Sequence, residues 1–233
     1  MVLFAFIAPL MSLLETHNTI TMEFKTIKTK YNYNEALQWL QQKGKEVYGE
    51  NFIIHQEDTP QIYQLLCYFL QDEMAAQQIT INLNKGILLS GPVGCGKTSL
   101  MQLMKFFIQK QEQKFIIKPC RDISFEFMED GFDIIRKYSK PPSFGGVGGG
   151  CTFCFDDLGV ENSLKYYGNE CNVMAEILLS RYDLFISNNL ITHLTTNLSA
   201  SEIEEIYGNR VRSRLREMFN LIAFSRDSLD KRK

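Results

Sequence analysis

Eight residues near the middle of the chain constrain its fold more than any other feature. Residues 91–98 read Gly-Pro-Val-Gly-Cys-Gly-Lys-Thr, which matches the pattern G-x-x-x-x-G-K-[ST] at every fixed position. An apolar run at 86–90 precedes the pattern, and helical spacing from Lys97 to about Gln109 follows it. A strand that passes through a glycine-rich turn into a helix is the context in which this pattern binds phosphate.

The residue types in this loop suit a nucleoside triphosphate, because glycines let several backbone N–H groups point at one phosphate. The Lys97 ammonium would reach the β- and γ-phosphates, and the Thr98 hydroxyl would ligate Mg²⁺. We therefore expect ATP and Mg²⁺ as cofactors; a glycine-rich turn with a chance lysine is the alternative. The predicted nucleotide-binding residues are Gly91, Pro92, Val93, Gly94, Cys95, Gly96, Lys97, Thr98 and Ser99.

The bulk composition is that of a globular protein with a single sizeable core. The chain has 233 residues, of which 45% are hydrophobic and 22% are charged. A net charge of −2 argues against nucleic-acid binding through overall positive charge, although a local basic patch stays compatible with it. The six cysteines lie mostly in apolar runs, which favours reduced thiols in a cytoplasmic protein over disulfides.

The first twenty-one residues differ from the rest of the chain. Residues 2–11 are apolar but too short to span a bilayer, and Pro9 interrupts them. They lack the basic start and the small-residue cleavage site of a secretory signal. Since Met22 begins a polar, amphipathic sequence, residues 1–21 are predicted to be a misassigned start or a disordered arm. A short membrane-touching anchor is the alternative, and no stable membrane association is expected.

Strand and helix patterns alternate in the remainder of the chain, which predicts a parallel sheet with helices on both faces. The predicted fold is an α/β three-layer sandwich of the P-loop NTPase type. A short helical segment at 22–57 would precede a domain at 58–233, without a helical lid after the last strand. The predicted strands are 86–90, 114–119, 151–156, 190–196 and 221–224, and the predicted helices are 33–47, 59–77, 97–109, 123–138, 171–186 and 201–219, the last interrupted near Gly208.

Two carboxylates end the third of these strands, as in a Walker B motif. Parallel strands bring their carboxyl ends to one edge of the sheet, so Asp156 and Asp157 should face the same phosphates as the loop. Asp156 would hold Mg²⁺ together with Thr98. Asp157 would orient the attacking water as general base. A turn of paired carboxylates that caps the next element is the alternative.

Two further polar segments refine the prediction. The fourth strand ends in Thr195, Thr196 and Asn197; in ATPases that insert this strand beside the Walker B strand, a polar residue here contacts the γ-phosphate. Asn197 is the first candidate and Thr196 the second, and a Ser/Thr or Asx turn is the alternative. Residues 209–216 carry four arginines on one short helix, which indicates an anion: a neighbouring subunit's γ-phosphate or a nucleic-acid backbone.

Together these segments resemble the AAA+ ATPases of the DnaC/IstB type, the helicase loaders and transposition helper ATPases. The stretches that carry the resemblance are 91–98, 155–161, 195–199 and 207–215. The resemblance implies a sensor role for Asn197 and an arginine finger between Arg210 and Arg214. Ser213-Arg214 best matches the family's Ser-Arg pair, with Arg210 in support. Asp157 stands where many relatives carry Glu.

The resemblance also implies a function, with alternatives that the sequence leaves open. The leading hypothesis is a cytoplasmic ATPase that assists DNA replication as a DnaC-like helicase loader and forms a homo-oligomer when ATP is bound. It would contact single-stranded DNA or a replicative helicase, and the basic residues of 121–150 would face the nucleic acid. An IstB-like helper that serves a transposase on duplex DNA and a P-loop small-molecule kinase are the alternatives. The N-K-x-D motif of a GTPase does not occur in the sequence.

Overall fold

The computed structural model describes residues 18–22, 25–139, 151–161, 164–166 and 169–232. These residues divide into two compact units. The first comprises the described residues of Met1–Leu83 and Leu103–Gln109, and the second comprises those of Asn84–Gln102 and Lys110–Lys233. Residues 1–17 and the predicted loop at 141–150 lie outside the described residues.

The first unit combines a β-hairpin with three helices. Strands β1 (Asn18–Met22) and β2 (Lys25–Thr29) pair antiparallel, and Ile20 lies opposite Ile27 with both side chains buried. The predicted boundary at residue 21 falls inside β1, and both the start site and the domain boundary at 57/58 stay predictions. The helices are α1 (Tyr33–Tyr48), α2 (Thr59–Phe69) and α3 (Glu73–Ile79), with 3-10 turns at Gln56–Asp58 and Lys105–Phe107.

The prediction of one helix over 59–77 is wrong, because the chain turns between α2 and α3. Gln71 adopts a left-handed conformation, with φ of 54°. Asp72 is fully buried, and its carboxylate accepts hydrogen bonds from the Ala75 N–H (3.1 Å), the Lys30 N–H (2.7 Å) and the Tyr33 hydroxyl (3.1 Å). An aspartate that caps a new helix in this way competes with continuation of the old one.

The second unit is built on a five-stranded, all-parallel sheet, which confirms the predicted fold class. The strands of this unit are β3 (Gly86–Ser90), β4 (Phe115–Pro119), β5 (Thr152–Leu158), β6 (Leu164–Tyr166), β7 (Asn169–Cys171), β8 (Thr192–Thr196) and β9 (Phe219–Ala223). The order in the parallel sheet is β4-β5-β8-β3-β9. A separate antiparallel hairpin, β6 and β7, lies outside this sheet and was not predicted.

Two of the predicted helices differ from the structure in length or continuity. The helix after the loop ends at Met104 rather than near Gln109, and the predicted helix 123–138 is two helices separated at Gly131, with φ of 61°. The predicted interruption at Gly208 is confirmed by its φ of 84°. The helices are α4 (Lys97–Met104), α5 (Cys120–Asp130), α6 (Asp133–Ser139), α7 (Val173–Asn188) and α8 (Ala200–Met218), with a 3-10 turn at Gln111–Gln113.

A buried arginine fixes the strands that carry the polar residues. The Arg181 guanidinium on α7 donates to the Thr192 hydroxyl at 2.7 Å and to the carbonyls of Tyr138 and Cys151 at 2.9 and 3.2 Å. Burial lowers the pKa of Arg181 to about 10, and its guanidinium carbon lies 5.4 and 5.6 Å from the ring centres of Phe153 and Phe155. A buried charge is tolerated when its donors are satisfied in this way, and the result is a fixed register for β5 and β8.

Three predicted absences can be compared with the described residues. Residues 224–232, which follow β9, form no helix. All six cysteines are free thiols. Among the described helices, none has the length and apolar content needed to cross a membrane.

Candidate nucleotide-binding site

The loop between β3 and α4 borders a cavity of about 250 Å³. Asp157 and Asn197 line this cavity as well, so the structure brings together residues from three predicted segments. Val160 and Arg232 complete the lining. Six of the nine predicted loop residues border the cavity: Val93, Gly94, Gly96, Lys97, Thr98 and Ser99.

The backbone of the loop has the conformation that a phosphate cradle requires. Gly94 and Gly96 have φ values of 84° and 91°, a region that side chains other than glycine rarely adopt. Cys95 between them is fully buried, so its side chain supports the loop from beneath. The first turn of α4 follows directly, and the N–H groups at the start of a helix form a favourable site for an anion.

The Lys97 side chain is buried inside its own loop. Its ammonium donates to the carbonyl oxygen atoms of Gly91 and Pro92, at 2.8 and 2.9 Å. These acceptors are neutral, whereas a phosphate oxygen is charged and forms a stronger, charge-assisted bond with an ammonium. Gly91 and Pro92 therefore hold Lys97 beside the cavity, where an entering phosphate would compete for it.

Thr98 and Asp156 meet in the arrangement expected of a magnesium site. The Thr98 hydroxyl lies 2.9 Å from both carboxylate oxygen atoms of Asp156. Burial raises the pKa of Asp156, and hydrogen bonds from Thr195 and Thr98 oppose that shift. Hydroxyl and carboxylate oxygen atoms are ligands that Mg²⁺ accepts, and a cation would relieve the cost of the buried charge. The residues present therefore fit the metal that the sequence predicts.

Thr195 is a site residue that sequence reasoning missed. Its hydroxyl donates to the Asp156 carboxylate at 2.6 Å and accepts from the Asp157 N–H at 2.8 Å, so it holds the carboxylate of one residue and the backbone of the next. Thr196, the second candidate at this strand end, instead bonds the Leu158 carbonyl and the Leu198 N–H. The first of these bonds joins β8 to β5, and the second is local to the turn after β8. The pairing of β8 beside β5 decides which threonine faces the carboxylates, and this pairing is not written in the strand's own residues.

Asp157 leaves the sheet at a bulge. The register between β5 and β8 shifts between Phe155 and Leu158, and Asp157 adopts a φ of 54°. A non-glycine residue in this region is uncommon and costs energy, and such outliers cluster at functional sites. Because of the bulge, the Asp157 side chain borders the cavity while Asp156 contacts Thr98. Asn197 is exposed at the end of β8, just before the Ser199 cap of α8, and borders the same cavity.

The arginines of α8 do not line this cavity. The Arg214 guanidinium lies 4.4 Å from the ring centre of Tyr182, whose hydroxyl donates to Glu217 at 2.7 Å. Arg212 forms an ion pair with Glu204 at 2.5 Å, and Arg210 is exposed. Within one chain, the predicted arginine finger and the predicted nucleotide site are thus separate.

The basic residues between β4 and β5 are only partly available. Arg121 and Arg136 are exposed, whereas the Lys137 ammonium pairs with Glu126 at 2.9 Å. Glu126 also pairs with Lys118, at 2.6 Å. Lys140 and the glycine-rich loop of the predicted nucleic-acid region lie outside the described residues.

Comparison with known proteins finds likeness in structure only. No family model matches the chain, and no curated protein does. A solved structure of a candidate primosome component from Streptococcus pyogenes serotype M3 matches with a TM-score of 0.50 and 18% identity, over 75% of this chain and 83% of that one. The structure of DnaI matches with a TM-score of 0.49 and 19% identity, over 74% of this chain and 88% of that one. The structure of the DnaC helicase loader matches with a TM-score of 0.44 and 20% identity, over 61% of this chain and 79% of that one.

At these identities the likeness is one of fold. The parallel sheet with β8 inserted between the strands of the phosphate loop and the paired carboxylates agrees with it. The chain therefore has a P-loop α/β fold, which it shares with the solved structure matched at a TM-score of 0.50.

Proposed function

We propose that this chain binds ATP with Mg²⁺, hydrolyses it, and uses the cycle in DNA replication as a helicase loader does. The observation that carries the proposal is the contact between Thr98 and Asp156, at 2.9 Å to both oxygen atoms, beside the Lys97 loop. A hydroxyl from the loop and a carboxylate from the neighbouring strand edge are the pair that holds Mg²⁺ in P-loop NTPases.

Binding would use the loop backbone and two side chains. The N–H groups of the loop and of the first turn of α4 would hold the phosphates, and Lys97 would exchange its bonds to Gly91 and Pro92 for phosphate oxygen atoms. Mg²⁺ held by Thr98 and Asp156 would neutralise charge that develops on the phosphates. Thr195 would keep Asp156 in place through its 2.6 Å hydrogen bond.

Hydrolysis would use the second carboxylate. Asp157, turned toward the cavity by the bulge, would accept a proton from the water that attacks the γ-phosphorus. The bond between that phosphorus and the β–γ bridging oxygen would break, and ADP would leave with the electron pair. Asn197, across the same cavity, would orient the water and the γ-phosphate.

Completion of the site would require a second copy of the chain. Arg214 lies on α8 and outside the cavity of its own chain, where its guanidinium stacks on Tyr182. In a head-to-tail assembly the same helix would face the neighbour's nucleotide, with Arg210 in support. This arrangement supports a homo-oligomer that forms with ATP and accelerates turnover on assembly.

The replication role has support of a different kind. The solved structure at a TM-score of 0.50 is described as a primosome component, and the fold is shared. Six free thiols favour a reducing compartment, which agrees with a cytoplasmic protein. A transposition helper on duplex DNA and a small-molecule kinase are the competing functions, and each is an outcome of the test below.

The test is ATP turnover per chain, measured as a function of protein concentration, with single-stranded DNA, with duplex DNA and with neither. The proposal predicts that turnover per chain rises with concentration and rises further with single-stranded DNA. Stimulation by duplex DNA alone would favour the transposition helper. Turnover that is independent of concentration and DNA, or no binding of ATP, would contradict the proposal.

A further inference from the structure

The turn that follows β5 is closed by the side chain of Glu161. One of its carboxylate oxygen atoms, Oε2, accepts from the Gly159 N–H at 3.0 Å. Within the same turn, the Val160 N–H donates to the Asp157 carbonyl at 3.3 Å. Asp157 and Val160 both line the nucleotide cavity, and Asp157 has a φ of 54°. Because that backbone conformation is strained, it persists only where the surrounding contacts maintain it.

Tyr207 joins this turn to α8. Its hydroxyl donates to Oε1 of Glu161, the carboxylate oxygen that does not accept from Gly159. Tyr207 is buried, and burial together with the charge of Glu161 holds the pKa of Tyr207 well above its ordinary range. The hydroxyl therefore keeps its proton and acts as the donor. Each oxygen atom of the Glu161 carboxylate thus has its own donor, one from the turn and one from α8.

The part of α8 that carries Tyr207 is itself held in place. The Asn172 side chain at the start of α7 donates to the Ile206 carbonyl at 2.9 Å. The next residue after Tyr207 is Gly208, where the helix is kinked at a φ of 84°. Tyr207 therefore lies at the end of the first half of α8, beside a residue that α7 anchors, and its hydroxyl gives Glu161 a fixed partner.

Two other contacts hold the beginning of the turn, and both come from the end of β8. The Thr195 hydroxyl accepts from the Asp157 N–H at 2.8 Å. A methyl group added to Gly159 would come within 2.5 Å of the Leu198 side chain, so Leu198 packs directly against the turn. The beginning of the turn is therefore fixed by β8, and its end, through Glu161, by α8.

Glu161 is poorly placed to act as a general base in this geometry. It does not line the cavity, whereas Asp157 does. Both of its carboxylate oxygen atoms already accept hydrogen bonds from protein donors. A general base must lie within hydrogen-bond reach of the water that it deprotonates. The contacts of Glu161 fit a structural support for the turn better than direct contact with water.

We infer that Glu161 and Tyr207 are positioning residues for Asp157. Their hydrogen bond fixes the end of the turn, and the turn keeps the Asp157 side chain beside the cavity. Without the Tyr207 hydroxyl, a half-buried carboxylate oxygen loses its donor, and the turn exchanges between this conformation and others. ATP binding persists, because the phosphate loop does not depend on this bond, whereas hydrolysis slows. The inference rests on the proposed function, since it explains how the base of that reaction is held.

The test compares Tyr207→Phe, Glu161→Gln and the double variant, each with Mg²⁺-ATP. Each single variant should bind ATP within about twofold of the wild type, since the phosphate loop is intact. Single-turnover hydrolysis should slow roughly tenfold in each, the kinetic equivalent of about one lost hydrogen bond. In the double variant the loss should be far smaller than the product of the two single losses, because both side chains act through one bond.

A second measurement needs no nucleotide. The amides of residues 159–161 should exchange with deuterium faster in Tyr207→Phe than in the wild type, because the turn opens more often. Tyr63→Phe is the matched control, since Tyr63 is buried as well and its hydroxyl bonds Asn34 in the first unit at 2.5 Å. Tyr63→Phe should leave both hydrolysis and the exchange of 159–161 unchanged, even if thermal unfolding shows a similar loss of stability in both variants.

Three results would overturn the inference. The first is hydrolysis in Tyr207→Phe at the rate of the wild type or of Tyr63→Phe. The second is a pair of single losses that multiply in the double variant. The third is a loss of about 10²–10⁴ in Glu161→Gln that Tyr207→Phe does not share, which would make Glu161 itself the base. In all three the wild type still hydrolyses ATP, so the proposed function survives. A wild-type chain that does not hydrolyse ATP overturns the proposed function as well.

Discussion

Two regions of the second unit carry the predicted machinery, and they differ in how complete they are. At the sheet edge, Lys97, Thr98, Asp156, Asp157 and Asn197 come from three separate segments and meet around one cavity or in direct contact. On α8, four arginines stand at every second position from Arg210 to Arg216. There Arg214 stacks on Tyr182, and Arg212 pairs with Glu204.

The difference shows which parts of a nucleotide site one chain can assemble alone. Parallel strands bring their carboxyl ends to one edge of the sheet, so the topology alone places the residues at those ends near one another. The exposed residues of a helix are under no such topological constraint, and their role depends on the partner that binds them. Under the proposed function, the sheet edge would bind nucleotide by itself, whereas rapid hydrolysis would require a second copy of the chain. Each prediction below tests one side of this contrast.

The largest effect is expected at the centre of the sheet edge. Lys97→Ala removes the ammonium that the loop holds at 2.8 and 2.9 Å beside the cavity, so ATP binding and turnover should both fall below detection. Lys85→Ala is the matched control and should bind ATP normally, since Lys85 is half-buried just before the other end of β3, donates to the Arg216 carbonyl at 3.3 Å and does not line the cavity. Binding is measured by calorimetry with Mg²⁺-ATP. If Lys97→Ala keeps the wild-type affinity for Mg²⁺-ATP, the prediction that residues 91–98 form the phosphate-binding loop is wrong.

The next effect separates binding from chemistry at the same edge. Asp157→Asn keeps the size of the side chain but removes the base, so ATP should bind normally while turnover falls by roughly 10²–10⁴. Single-turnover hydrolysis at saturating ATP measures it. If Asp157→Asn turns over normally, the base lies elsewhere, and Glu161→Gln becomes the next variant. Glu161 accepts from the Gly159 N–H at 3.0 Å and contacts the Tyr207 hydroxyl.

The sheet edge was also the region most open to prediction from sequence. The loop, Asp156, Asp157 and Asn197 follow from short motifs at the ends of strands, because parallel topology places those ends together. Thr195 and Arg232 could not be found in this way, since one depends on strand register and the other on the path of a segment without secondary structure. The breaks at Gln71 and Gly131 were missed for a related reason: left-handed residues interrupt patterns that are helical on both sides.

A smaller effect is expected on the exposed surface of α6, whose proposed role, like that of the α8 arginines, depends on a partner. Arg136 on α6 is exposed, whereas its neighbour Lys137 is already paired with Glu126 at 2.9 Å. If this face contacts DNA phosphates, Arg136→Glu should weaken single-stranded DNA binding several-fold and reduce its salt dependence. Lys137→Glu should have the weaker effect of the two. Fluorescence anisotropy over a series of salt concentrations measures both. If both variants bind single-stranded DNA as tightly as the wild type, this face of α6 does not contact DNA.

The smallest effect is a pH dependence of stability at Asp156. Because burial raises its pKa above the ordinary 3.8, the folded protein binds this proton more tightly than the unfolded chain does. The stabilisation that comes from this more tightly bound proton is present below about pH 4, and it is lost as the pH rises through the pKa of Asp156 in the folded protein. Asp156→Asn should therefore melt a few degrees above the wild type at neutral pH, and the gap should close on acidification. Thermal unfolding without nucleotide measures it, with the exposed Asp227→Asn as control. If the difference in melting temperature between Asp156→Asn and the wild type widens toward low pH, burial does not raise the pKa of Asp156.

The most direct test of the contrast between the two regions mixes two inactive variants. Arg214→Ala should bind ATP but lose turnover by roughly 10³–10⁵, as arginine fingers do, whereas Arg216→Ala on the same helix should turn over normally. Lys97→Ala should lack turnover because its own site is empty, yet it still presents Arg214. Mixed in equal amounts, the two should recover turnover at interfaces where an intact site meets an intact arginine. A mixture that co-assembles and stays inactive would contradict the account, because it would show that the arginine does not act across an interface.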